Sequence, residues 1–199
     1  LGHSMGSFLA LRYIQLYSNK LAGVIFSGTG GYDQVSSSQV GSSVAKVSMD
    51  LFGPKRKAIL IEKITKKKFN KRIDKVVTGN EWLSRDIDAL KDFGKGCDTG
   101  FIFTSSAYYY MFKGMIENFN DSNMRAIPKN LKIYLFSGDE DPVGNYGEGV
   151  KYMYDLYKNK LEISDVTLRL YNHGRHEMLN EINKDEVIEH LIDWLNKRI

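Results

Sequence analysis

Apolar positions along this chain follow two different periods. Phe8, Leu9, Tyr13 and Leu16 recur at three- and four-residue spacing, which predicts a helix over residues 5–17. Ser18-Asn19-Lys20 interrupts it, and Leu21-Ala22-Gly23-Val24-Ile25-Phe26-Ser27-Gly28 is a short apolar run bounded by turn residues. Such a run after a helix predicts a buried parallel strand. Residues 132–137 form a second run, led in by Pro128-Lys129-Asn130 and stopped by Gly138-Asp139. Residues 147–157 return to helical spacing, with Val150, Met153, Tyr154 and Tyr157 on one side. Residues 166–171 predict a third strand. Residues 186–197 close the chain as a helix with Val187, Ile188, Leu191, Ile192, Trp194 and Leu195 as its apolar stripe and Asn183 as its N-cap. Strand and helix alternate, so the fold class is α/β with a mostly parallel sheet.

Residues 30–125 break that rhythm. Helical spacing covers 40–51, 57–69, 82–93 and 103–119, without a convincing strand. An insertion of this length between two strands is too long for a loop. It predicts a helical cap over the carboxyl ends of the strands, hinged at residues 28–31 and 120–128. Residues 1–29 and 126–199 are then the α/β core, and 30–125 the cap.

The chemistry is concentrated at three points. Gly2-His3-Ser4-Met5-Gly6 runs straight into the first helix. Gly-x-Ser-x-Gly in that context is a nucleophile elbow, with glycines expected where side chains would collide in so tight a turn. A serine hydroxyl needs a histidine to take its proton and a carboxylate to orient that histidine. Elbow enzymes place these in the chain order serine, acid, histidine. Asp139, Glu140 and Asp141 follow the second strand, and His173 and His176 follow the third, in the required order. Tight-turn acids often cap backbone amides, and that is expected of Asp139. His3 reads as a packing residue beside the nucleophile, and His190 carries no signal. The Met5 amide is the expected oxyanion donor.

Composition narrows the classes. With 42% hydrophobic and 26% charged residues, the default is an ordinary globular domain. A net charge of +4 is too small to imply nucleic acid. It is uneven, however: residues 55–75 carry ten lysines and arginines, from Lys55 to Lys75, against Glu62 and Asp74. A solvated helix face is the plain reading, and contact with an anionic membrane the sharper one. Cys97 is the sole cysteine, which leaves no internal disulfide and fits the cytoplasm. It reads as an inert thiol. The four histidines lack metal-ligand spacing and no phosphate loop is present, so no metal or cofactor is expected.

Taken together, these motifs resemble the α/β-hydrolase superfamily, and within it the monoacylglycerol lipase and lysophospholipase group, also catalogued as serine-aminopeptidase-like hydrolases. Gly2-His3-Ser4-Met5-Gly6 is similar to that group's elbow. Ser137-Gly138-Asp139-Glu140-Asp141-Pro142-Val143 is similar to its acid turn, and Arg175-His176-Glu177-Met178-Leu179-Asn180-Glu181 to its histidine loop. Trp82-Leu83-Ser84-Arg85-Asp86 and Gly100-Phe101-Ile102-Phe103-Thr104 resemble cap segments. The resemblance singles out Asp141 as the acid and implies Ser4, His176 and Asp141 as the triad of an ester hydrolase. Together with the cap's composition it implies a monoacylglycerol or lysophospholipid substrate: the aromatic and methionine cluster at residues 101–115 reads mostly as cap core, with Phe101, Phe103, Tyr109 and Met111 as candidates for an acyl pocket. A peptidase with the same triad and a non-enzymatic binding protein on the same scaffold are the alternatives. The family has strands before its elbow and a second oxyanion donor there. An upstream segment of the same polypeptide is therefore expected to complete the fold.

Overall fold

The computed structural model describes residues 1–93 and 100–198; Cys97 lies outside them. Four strands form one parallel sheet in the order β1 (Gly2–His3), β2 (Gly23–Ser27), β3 (Lys132–Gly138) and β4 (Val166–Tyr171). The sequence predicted three strands. The fourth is the two-residue β1, whose Gly2 and His3 pair with Phe26 and Ser27. It carries too few residues for periodicity to register.

Burial on both faces explains the unbroken apolar runs. From β2 and β3, Val24, Phe26, Ile133 and Leu135 face one side, where α1 (Met5–Tyr17) and α7 (Glu148–Asp155) supply Phe8, Leu11, Ile14, Val150 and Met153. The alternate residues Ile25, Tyr134 and Phe136 face the other side, against Trp194 and Val187 of α8 (Lys184–Asn196). Arg169 stands exposed on β4, a charge suited to an edge strand.

Helix α1 buries Phe8, Leu11 and Ile14, while Leu9, Tyr13 and Leu16 of the predicted pattern are exposed. The helix is apolar on most sides, so spacing alone does not choose the buried face. In α8 the stripe is narrower than predicted: Val187 and Trp194 are buried, and Ile188 and Ile192 are exposed. Asn183 stands at the N-cap position without a capping hydrogen bond, because its side chain bonds Glu186 and Arg85.

Between β2 and β3 lie α2 (Asp33–Phe52), α3 (Ile59–Phe69), α4 (Ile87–Asp92), α5 (Ser105–Asn118) and α6 (Asp121–Arg125). Ala45, Ala58, Ile61 and Tyr108 form a small core of their own among α2, α3 and α5. The predicted helix at 82–93 begins only at Ile87, where Asp86 caps the amides of Asp88 and Ala89. Residues 82–86 are instead spent on contacts with the loop after β4. No helix among the described residues is long and apolar enough to cross a membrane.

Candidate active site

The site lies at the carboxyl ends of the strands, where open α/β sheets collect their chemistry. Ser4 links β1 to α1 with φ 52° and ψ −121°. A non-glycine residue in that region stores roughly 1–3 kcal/mol of strain and persists only where its surroundings enforce it. Here the Ser4 amide donates to the Ser27 carbonyl at 2.9 Å. The Ser4 carbonyl accepts from the amide of Ser7 at 2.8 Å and its hydroxyl at 2.6 Å. A Cβ on Gly2 would stand 2.3 Å from the Gly6 carbonyl oxygen, whereas one on Gly6 would meet nothing within 4 Å. Crowding thus accounts for the first glycine of the elbow and not for the second. Met5 is the first residue of α1, where amides lack intrahelical partners.

The acid turn and the histidine loop meet through backbone. Glu140 donates its amide to Gly174 at 2.9 Å, and Asp139 to Tyr171 at 3.0 Å. Two carboxylates and two imidazoles then pair differently. Exposed His173 pairs with Glu140 at 2.9 Å. Buried His176 brings Nδ1 to 3.0 Å from both oxygens of Asp141, which is 0% exposed. Asp141 also accepts from the Ser137 hydroxyl at 2.9 Å and the Val143 amide at 2.8 Å. Burial opposes charge on this carboxyl, but His176 and these donors outweigh it and hold it below the ordinary range. Among the described residues Asp139, expected to cap amides, has no such bond, and its Oδ1 is buried without a partner. Ser137 is a partner that sequence reasoning missed, since a serine ending a strand carries no signal of its own.

His176 lies between two rings. His3, one residue from Ser4, is 4.8 Å away, and Trp82 is 4.9 Å away on a segment distant in sequence. His3 also bonds the Ser27 hydroxyl at 3.0 Å. Burial first, and the neighbouring His176 second, push His3 down to about 4. No hydrogen bond joins Ser4 to His176, and His176 Nε2 is buried without a partner among the described residues. His190 bonds Arg169 and Tyr171 away from the site.

A cavity of about 490 Å³ opens beside Ser4 and Met5. Its walls come from α1 (Phe8), α2 (Val40, Val44), α3 (Ile61, Ile64, Phe69), α5 (Met111, Phe112, Met115) and Trp82. Phe103 and Met111 line it; Phe101, which is exposed, and Tyr109 do not. The apolar wall has a polar spot where the Tyr108 hydroxyl donates to Glu62 at 2.6 Å, with Lys66 at 3.4 Å from the same carboxylate. Of the basic stretch, Lys63, Lys67 and Lys68 are exposed, and Arg72 stacks 3.5 Å above the ring of Tyr146, three residues beyond the acid turn.

Fold and site together define an α/β hydrolase. The model of the serine aminopeptidase S33 family matches residues 1–183, and the chain belongs to that family. It is similar, at 28% identity and a TM-score of 0.86, to a highly thermostable carboxyl esterase from Bacillus coagulans solved in complex with glycerol. That match covers 99% of this chain and 63% of the esterase, so the chain spans less than two thirds of its relative's length. A lipase in its open form matches at 24% identity and a TM-score of 0.83, over 98% of this chain and 63% of the lipase. A monoacylglycerol lipase from Paleococcus ferrophilus matches at 18% identity and a TM-score of 0.69, over 100% and 67%. At these identities the last two speak to fold alone. The comparison with curated proteins finds no match.

Proposed function

We propose that this chain carries the catalytic machinery of a serine ester hydrolase acting on a fatty monoester, a monoacylglycerol or lysophospholipid. Ser4 is the nucleophile, His176 the general base and Asp141 the residue that orients it. Residues 30–125 form a cap over this machinery. The observation that carries the reading is the buried Asp141–His176 pair, whose imidazole lies 4.8 Å from His3, next in the chain to a strained elbow serine that lines an apolar cavity.

The Ser4 hydroxyl gives its proton to His176 Nε2 as its oxygen bonds the ester carbonyl. The oxyanion that forms is met by the Met5 amide at the positive end of α1. His176 then protonates the departing alcohol, leaving an acyl group on Ser4. Water, deprotonated by the same imidazole, releases the fatty acid. Asp141 keeps Nδ1 protonated so that Nε2 is free to accept. The cavity walls suit an acyl chain, since such sites are apolar with few polar groups.

The test is fluorophosphonate labelling and turnover of p-nitrophenyl esters against aminoacyl nitroanilides, using the full-length protein. Labelling is expected on Ser4 and absent in Ser4→Ala, with esters turned over in preference to anilides. Asp141→Asn is expected to lower kcat about 10,000-fold, the cost of holding the wrong histidine tautomer. Preference for the anilides would favour the peptidase reading. An unlabelled Ser4 would favour a binding protein.

A further inference from the structure

Glu181 is fully buried, and the mechanism above does not use it. Its Oε1 accepts from the amides of Arg175 at 3.0 Å and Arg85 at 3.1 Å. Its Oε2 accepts from Arg85 Nε and the Ile182 amide, both at 3.0 Å. Four donors, one of them a guanidinium, answer one buried carboxylate. A buried charge this well matched is strongly destabilising to break.

The position of these donors is what matters. Arg175 precedes His176, and Arg85 belongs to the segment that carries Trp82. The other side of the histidine loop is fastened to the same segment: Glu177 donates its amide to Leu83 at 2.7 Å, and His176 to Trp82 at 3.4 Å. Arg175 Nη1 reaches the Glu81 and Ser84 carbonyls at 2.7 and 3.3 Å, and the Ser84 hydroxyl donates to the Asn180 carbonyl at 2.9 Å. One carboxylate thus ties the backbone carrying His176 to the backbone carrying Trp82, a wall of the cavity and the ring 4.9 Å from His176.

We propose that Glu181 is a positioning residue for His176. It holds the imidazole at a set distance from Ser4 and the cavity wall by clamping residues 82–85 to the histidine loop. The inference rests on the reading of His176 as the base. A misplacement of about 1 Å at a reacting group can cost around 100-fold in rate, and removing this carboxylate takes away four of the hydrogen bonds that set the two backbones against each other.

The test compares Glu181→Ala, Glu181→Gln and His176→Ala in the full-length protein with a p-nitrophenyl ester. Temperatures lie well below each Tm, and phosphonate titration counts competent sites. Glu181→Ala is expected to lower kcat per titrated site about 10- to 100-fold while KM stays within about threefold. Glu181→Gln should fall between it and the wild type, because the amide oxygen can still accept from Arg175 and Arg85. Where Glu181→Ala fails to fold, the Gln variant decides. Wild-type kcat per site in a folded variant would overturn the proposal, as would a loss that only tracks the titrated fraction. If His176→Ala is inactive while both Glu181 variants are unimpaired, this inference alone falls. If His176→Ala is fully active, the base assignment falls and takes the inference with it.

Discussion

Among the non-glycine residues at positive φ, Ser4 is the one that stands at the elbow and lines the cavity. Ser4 has φ 52°, and the cost is met by bonds from Ser27 and Ser7 on either side of it. Its neighbour His3 lies against His176, and burial together with that neighbour keeps it neutral down to about pH 4. The consequence for stability has a definite sign. The unfolded chain protonates this histidine near its ordinary 6.5, the folded chain only near 4. Between those values the unfolded state binds more protons, so stability is complete above 6.5 and declines as pH falls toward 4. Urea unfolding across that window should show the decline, and His3→Gln should flatten it. Identical slopes in the two proteins would remove His3 from the account.

At the scale of elements, two loops from neighbouring strands are brought closer than side chains allow. Gly138 ends β3, and a Cβ there would stand 1.9 Å from the Gly174 carbonyl oxygen and 2.5 Å from that of Arg175. Both obstacles are backbone, so neither can rotate away. Gly138→Ala should push the acid turn off the histidine loop, parting Asp141 from His176. A destabilisation of roughly 1–3 kcal/mol or more is expected for such overpacking, with ester turnover falling further than stability. Urea unfolding and kcat measured together check it; an unaltered Cm would show that the loops can part without cost. The elements around the site differ in how legible they are. Helices α1, α3, α5 and α8 stand where apolar spacing predicts them, with bounds that move by a few residues, although part of the predicted stripe of α1 and α8 is exposed. The segment 82–86 carries similar spacing, yet its backbone bonds the histidine loop and its helix waits for the Asp86 cap.

Across the whole molecule, the helices between β2 and β3 supply most of the cavity wall, and the proposed triad lies at the ends of the strands. If the chain is the proposed ester hydrolase, acyl-chain preference should change through those helices without altering the proposed triad. Val44 lines the cavity from α2 and is 40% exposed, so a larger side chain fits there without disturbing a core. Val44→Trp should lower kcat/KM for p-nitrophenyl dodecanoate about tenfold more than for the acetate, the size of discrimination a few apolar contacts supply. An equal effect on both esters would show that the chain does not lie along α2.

Local pattern by itself determined the alternation of strand and helix, the elbow, and the order of a serine, an acidic turn and a histidine loop. These are legible because helix and strand periods, and tight-turn chemistry, are set by neighbouring residues. Local pattern left three acids and two histidines open, and the resemblance named Asp141 and His176; only the tertiary structure decided that Glu140 faces His173 and that Asp139 Oδ1 has no partner among the described residues. It also placed Phe103 and Met111 on the cavity but not Phe101 or Tyr109, and closed Glu181 on Arg85 and Arg175. Each of these is a contact between segments far apart in sequence. Its geometry depends on sheet register and on how the helices pack, quantities that no local pattern encodes.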